Sequence, residues 1–188
     1  MRYTLQILIW AIISNLLSYN WHSTNETAMK TEEFESYLKI IDHPHQLQLS
    51  NDVTSLYILY RAHMTRFPYQ NLDLYMGKPK PDLSTSSLLD TMPARGGHCY
   101  EHTELLFSVL EYAGFQVSRV ACYVLNNQQY RQGMPLTHNI VMVMVGKEHY
   151  LCDPGFSAAS PRYGFDVFFV FILPTTDILS GLTLTRQE

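Results

Sequence analysis

A cysteine, a histidine and an aspartate, well separated along the chain, are the residues best suited to covalent chemistry. Cys99 follows Gly96 and Gly97 and opens a run with helical spacing. A thiol at that point faces unpaired backbone N–H groups and the positive end of the helix dipole. Both favour the thiolate, the form that attacks electrophiles. Two glycines let a substrate come close to the backbone. Glu101 and Glu104 act the other way, because nearby carboxylates disfavour another negative charge, so the thiolate needs a cationic partner. His138 begins a strand-like run and is the candidate for that partner. Asp153 ends the following run and is the candidate to orient the imidazole. With Gly146 and Lys147 as a two-residue turn, Val145 pairs with Glu148 and Ile140 with Asp153. Side chains alternate along a strand, so His138 and Asp153 then share a face diagonally, with backbones about 7–8 Å apart. A turn one residue longer would put them on opposite faces. Taken singly, each residue has a plainer reading: a small buried cysteine, a surface histidine, an Asp-Pro-Gly turn. Their order is what suggests a nucleophile, a base and an orienting group.

His98, Cys99 and His102, with Cys122, His138 and Cys152 elsewhere, raise zinc as the chemical alternative. The H-C-x-x-H run lacks a matching second pair, and a structural site needs four converging ligands, so no metal is expected. His22, His43, His45, His63 and His149 read as surface groups without partners.

The elements that must position these residues follow from hydrophobic spacing. One helix is expected near 31–42, capped by Thr31 with Glu32, Glu33 and Glu35 in its first turn. A second near 51–66 carries Val53, Leu56, Tyr57, Tyr60 and Met64 on one face, and ends before Pro68. A short helix runs from Ser84 to Met92, broken by Pro93 to Gly97. A strong helix follows from Cys99 to Ala113, with Leu105, Leu106, Val109, Leu110 and Ala113 as its stripe and Gly114 past its end. Strands are expected over Val117–Leu125, His138–Val145 and His149–Cys152. Helices first and an antiparallel sheet afterwards make an α+β chain. The expected division is an extension over 1–28, a helical domain over 29–114 carrying the nucleophile, and an incomplete antiparallel β-barrel-like domain over 115–188 with the triad between them.

In 188 residues, 46% apolar, 13% aromatic and 16% charged, there is enough apolar content to exclude disorder. A net charge of −4 gives no basic surface for nucleic acid or anionic lipid. Three cysteines cannot make a disulfide framework, which points to a reducing, cytoplasmic compartment. The first 28 residues stand apart. Arg2 and the apolar run Leu5–Leu17 resemble a signal-peptide core, too short to span a bilayer, and no clear cleavage site follows. Asn25-Glu26-Thr27 is a sequon usable only if the chain is secreted. Met29 looks like an ordinary start, and the extension is expected to be spurious or removable.

Arg95-Gly96-Gly97-His98-Cys99-Tyr100-Glu101 resembles the signature of the arylamine N-acetyltransferases, an R-G-G-x-C-x-E run around the nucleophile. Phe34, Tyr37, Leu38 and Ile40 resemble that family's opening helix, and Pro68-Tyr69-Gln70-Asn71-Leu72 its P-[FY]-x-N-L segment. Gly114-Phe115, Thr137-His138 and Asp153-Pro154-Gly155-Phe156 resemble its later motifs, and the likeness covers roughly 29–157. Thr103 stands where many members carry Asn, Ser157 replaces a glycine, and the match fades past Ala158. The resemblance implies that acetyl-CoA acetylates Cys99 and that the acetyl group passes to an arylamine, hydrazine or hydroxylamine nitrogen, ping-pong through a thioester. It also implies that Tyr69 and Phe156 line the acyl and amine pocket. Members of the family continue into a third domain that helps hold coenzyme A. The tail here, with its apolar run Val167–Leu173, is expected to be a frameshift, a splice variant or a fragment with unpartnered apolar residues. Two other readings compete: a transglutaminase-like or papain-like cysteine hydrolase, and a truncated, inactive paralogue. The R-G-G run and the Pro68–Leu72 segment favour the transferase over the hydrolase.

Overall fold

In the computed structural model, which describes residues 7–9, 28–43, 49–124, 131, 133–155, 172–173 and 182–184, a short strand Ile7–Ile9 (β1) precedes a helical region. Its helices are Thr31–Ile40 (α1), Val53–Arg66 (α2), Leu72–Tyr75 (α3), Thr85–Arg95 (α4) and Cys99–Tyr112 (α5). The strands Gln116–Cys122 (β2), His138–Val145 (β3), Glu148–Cys152 (β4), Ile172–Leu173 (β5) and Leu182–Leu184 (β6) follow. β2, β3, β4 and β5 form one antiparallel sheet in that order, and the sheet is not closed. β1 pairs with β6 in a separate two-stranded sheet, so Ile7–Ile9 of the apolar leader is extended strand.

α5 organises the core. It packs against α1, α2 and α4 on one side and against β2 and β3 on the other. Leu105, Leu106, Val109 and Leu110 are completely buried, and Phe107 and Ser108 are buried with them. A helix lying between two layers has no solvent face over its middle, which is why burial exceeds the expected single stripe. Each of those fully buried aliphatic side chains contributes about 1.5–3 kcal/mol, enough to fix where the first turn of α5 stands.

Several boundaries differ from the sequence reading for physical reasons. Lys30, not Thr31, takes the N-cap position of α1, and its backbone N–H donates to the Glu33 carboxylate at 2.8 Å. The Thr31 hydroxyl instead accepts from Tyr112 at 2.8 Å. The buried face of α2 is Leu56, Leu59, Tyr60 and His63, while Val53 is exposed. α4 continues through Pro93 to Arg95. Met92 anchors that last turn in the core and its carbonyl accepts from the Gly96 N–H at 2.9 Å. The turn α3 was not anticipated. β2 ends at Cys122, and Leu125 lies outside the described residues. In the tail, the backbone of Ile172 and Leu173 is paired with Tyr150 and His149 of β4, and the rest of the apolar run lies outside the described residues.

Candidate active site

The nucleophile candidate sits where the chain leaves α4 and enters α5. Gly96 ends α4 with φ +79°, and a Cβ there would lie 2.4 Å from the Pro68 carbonyl oxygen. Only glycine meets both conditions. Gly97 N–H then donates to that carbonyl at 3.0 Å, and Gln70 N–H donates to the Gly97 carbonyl at 2.9 Å. Tyr69 and Gly97 thus form an isolated parallel bridge. His98 caps α5: its N–H donates to Glu101 Oε2 at 3.0 Å, and its Nδ1 accepts from the Glu101 N–H at 3.4 Å. Cys99 is the first helical residue and is half-buried. Cys122 and Cys152 are buried, and burial, with the Asp153 charge adding, pushes both thiols up to about 12.

The turn at Gly146 and Lys147 has the two-residue length that the register requires. Val145 pairs with Glu148, and the ladder runs to Val141 opposite Cys152. Asp153 leaves the ladder one residue later, and both its carboxylate oxygens lie 2.9 Å from His138 Nε2. The Asp153 carbonyl accepts from the Tyr60 hydroxyl at 2.9 Å, and its Oδ1 accepts from the Gly155 N–H at 3.2 Å. Cys99 is close enough to the same imidazole for its thiol to add to the effect of Asp153 on His138. Cys99 Sγ is 4.0 Å from the carbonyl oxygen of Thr137, the neighbour of His138. Burial disfavours the His138 imidazolium, but the hydrogen bonds and charges of Asp153 and Cys99 outweigh it and raise His138 to about 9. Cys99, His138 and Asp153 are therefore brought close together, with His138 bonded to Asp153. Thr103, one turn beyond Cys99, donates to the Asn139 carbonyl at 2.7 Å and ties α5 to β3 beside His138.

The two carboxylates that oppose a thiolate are each held by an arginine, which sequence reasoning missed. Arg95 Nη2 is bonded to Glu101 and Arg95 Nη1 lies 3.2 Å from Asp73. Arg119 binds Glu104 through Nε at 2.8 Å and Nη2 at 2.5 Å, with its guanidinium 3.4 Å over the Phe107 ring. The signal available was the R-x-x-x-x-x-E spacing of Arg95 and Glu101 across the glycines. Glu101 is 1% exposed, so removing its cation leaves a buried charge uncompensated. We expect Arg95→Met to lower unfolding free energy by about 3 kcal/mol in urea denaturation, and Arg95→Met/Glu101→Met to recover much of it.

The surface reading of His63 is corrected by the structure. His63 is completely buried and His102 nearly so. Tyr37 Oη lies 3.2 Å from His63 Nδ1, His63 Nε2 lies 3.1 Å from His102 Nδ1, and His102 Nε2 lies 3.3 Å from the Pro68 carbonyl. His63 falls on the i, i+3, i+4, i+7 stripe with Leu56, Leu59 and Tyr60, and that spacing was the signal. His43 is buried and His149 half-buried, so neither is the exposed group expected; His22 and His45 lie outside the described residues. His98 and His102 are engaged as a cap and in the chain to Pro68. Among the described residues no group of three or more His, Cys, Asp or Glu is placed to hold a metal ion. Tyr69 is half-buried, and burial followed by the nearby Cys99 charge raises its phenol. Phe156 lies outside the described residues. A cleft of about 240 Å³ whose lining includes Gln70, Asp73, Leu74, Pro79, Arg95 and Glu101 lies beside the start of α5, and Cys99, His138 and Asp153 do not line it. No helix among the described residues is long and apolar enough to cross a membrane.

Known proteins share this arrangement of elements. An arylamine N-acetyltransferase from Mycolicibacterium smegmatis is 38% identical over 110 residues, covering 56% of this chain and 40% of that protein. The solved structure of the Mycobacterium marinum arylamine N-acetyltransferase superposes with a TM-score of 0.61 at 32% identity, covering 69% of this chain and 48% of that one. The same M. marinum enzyme solved in complex with CoA superposes with a TM-score of 0.59 at 31% identity. This chain thus spans less than half the length of these relatives. The N-acetyltransferase family model matches residues 52–166, more than half of the chain and the stretch that carries Cys99, His138 and Asp153. With that match, the chain belongs to the arylamine N-acetyltransferase family.

Proposed function

We propose that this chain transfers an acetyl group from acetyl-CoA to the nitrogen of an arylamine or hydrazine through a thioester on Cys99. The observation that carries the reading is the His138 imidazole, with both Asp153 carboxylate oxygens 2.9 Å from its Nε2, close to Cys99 at the first turn of a buried helix. Asp153 holds the Nε2 proton and so directs the other ring nitrogen to the sulfur. The thiolate, paired with the imidazolium, attacks the thioester carbonyl of acetyl-CoA. The carbon–sulfur bond to coenzyme A breaks, and the departing thiolate takes the proton from His138. The amine nitrogen then attacks the Cys99 thioester and gives up a proton to His138. The cysteine sulfur leaves, the amide departs, and the imidazolium–thiolate pair is restored. Tyr69, bridged to Gly97 beside Cys99, and Phe156, close after Asp153 in sequence, line the pocket for the acyl group and the amine in this reading. Arg95 and Arg119 keep Glu101 and Glu104 from competing with the thiolate. Support for coenzyme A as the donor comes from the CoA complex of the M. marinum relative.

Intact mass of the protein after incubation with acetyl-CoA, beside Cys99→Ala, tests this. We expect a single acetyl group on the parent chain and none on the variant. A folded parent chain without an adduct would overturn the reading in favour of a hydrolase or an inactive paralogue.

A further inference from the structure

We propose that His102 is a positioning residue for the segment Pro68–Tyr69–Gln70, with its ring orientation set by His63 and Tyr37. The inference rests on the acyl-transfer reading only for the role of Tyr69. The polarity of the chain from Tyr37 to Pro68 is determined by chemistry. The Pro68 carbonyl can only accept, so His102 Nε2 donates to it at 3.3 Å. In a neutral ring His102 Nδ1 then accepts, which requires His63 Nε2 to donate at 3.1 Å. His63 Nδ1 in turn accepts from the Tyr37 hydroxyl at 3.2 Å. Tyr37 and His63 are fully buried and His102 is 1% exposed, so water does not substitute for the links among the three side chains. Burial also keeps both rings neutral, pushing His63 well below its usual value and His102 down to about 4.

Two features aim this chain at the site rather than at general stability. The His102 ring lies against the face of Tyr69, with centroids 6.3 Å apart and planes at 17°. The Pro68 carbonyl that takes the His102 proton also takes the Gly97 N–H, two residues before Cys99. One imidazole therefore holds both the backbone before Tyr69 and the ring of Tyr69. It touches neither His138 nor Asp153 in any bond described above. Loss of its donor should move the Tyr69 ring while leaving the thiolate pair intact.

The test uses the whole chain with 3-fluorotyrosine at position 69, read by fluorine NMR. It adds the rate of Cys99 alkylation by iodoacetamide and the KM for a substituted aniline with acetyl-CoA as donor. For His102→Leu we expect a shifted or broadened fluorine resonance and a KM raised about tenfold, the size of one lost hydrogen bond. The alkylation rate should stay within about twofold of the parent, since transition-state chemistry at Cys99 is untouched. His102→Gln, which keeps a donor for Pro68, should restore the resonance and most of the KM. An unchanged resonance in His102→Leu, or alkylation falling in step with KM, overturns the proposal. If His102→Leu does not fold, His102→Asn keeps an amide acceptor for His63 but is too short for its amide to donate to Pro68. A resonance moved in His102→Asn and not in His102→Gln supports the proposal, and equal behaviour of the two overturns it. A parent chain that never acetylates the aniline sinks the acyl-transfer reading, while the fluorine resonance still decides the positioning role.

Discussion

Asp153→Asn should lower the rate of Cys99 alkylation by iodoacetamide at pH 7 by about 10–10²-fold, the loss that follows when the thiolate is no longer paired with a cation. The carboxylate does two things at once. It accepts from His138 Nε2 at 2.9 Å, and it contributes to the charge balance that raises His138 to about 9 against the pull of burial. With an amide in its place, burial dominates and the ring is neutral at pH 7, so no cation remains to hold a thiolate. The pH profile gives the sign. In the parent chain the imidazolium persists up to about pH 9. In Asp153→Asn the thiolate forms only when the thiol ionises without that partner, so the two rates should converge at strongly alkaline pH. The same linkage reaches stability. A folded histidine raised above its ordinary value of 6.5 stabilises the fold fully below that value and loses its contribution as pH rises through about 9. The parent should therefore lose more Tm than Asp153→Asn between pH 7 and pH 9. Equal alkylation rates at pH 7 would remove Asp153 from the mechanism.

Gly155→Ala should abolish detectable acetylation of Cys99 without unfolding the protein. A Cβ at position 155 would lie 2.4 Å from Cys99 Cα and 2.8 Å from Cys99 Cβ. No real contact is that short, and the atoms it meets are backbone at the head of a buried helix, so nothing nearby can turn aside. Unlike Gly96, Gly155 has no positive φ, so the alanine backbone is itself unstrained and the effect is steric. Overpacking of this kind costs about 1–3 kcal/mol of stability. A displacement of about 1 Å at the nucleophile costs about 10²-fold in rate through lost alignment. The Asp153 carboxylate also loses geometry, because Gly155 N–H donates to its Oδ1 at 3.2 Å. Circular dichroism and Tm should report a folded protein while intact mass reports no adduct. Full acetylation of Gly155→Ala would mean that the loop after β4 yields instead of Cys99.

How far the sequence could be read differed between the sheet and the helices. The turn at Gly146-Lys147 and the alternation of β3 placed His138 and Asp153 on one face, and the ladder from Val145 opposite Glu148 has that register. Strand register follows from a local count of residues, so it was legible. The buried face of α2 was not. Tyr57 and Met64 suggested one face, and the packing against α5 selected Leu59 and His63 instead. Hydrophobicity scales place histidine outside, and only the partners supplied by Tyr37 and His102 make its burial affordable. The Arg119 pair was hidden for the same reason: Arg119 is on β2 and Glu104 on α5, and nothing local in the sequence joins them.

Residue types and local periods alone determined the order of helices and strands, a cysteine at a helix start, and a histidine and an aspartate at neighbouring ends of adjacent strands. Those features depend on geometry repeated every two or 3.6 residues. The tertiary structure alone decided which charges are neutralised, which histidines are buried, and which backbone touches Cys99. Each of those depends on atoms brought together from distant positions, such as Gly155 against Cys99 and Pro68 against Gly97, where a contact of a few ångströms has no counterpart in sequence spacing.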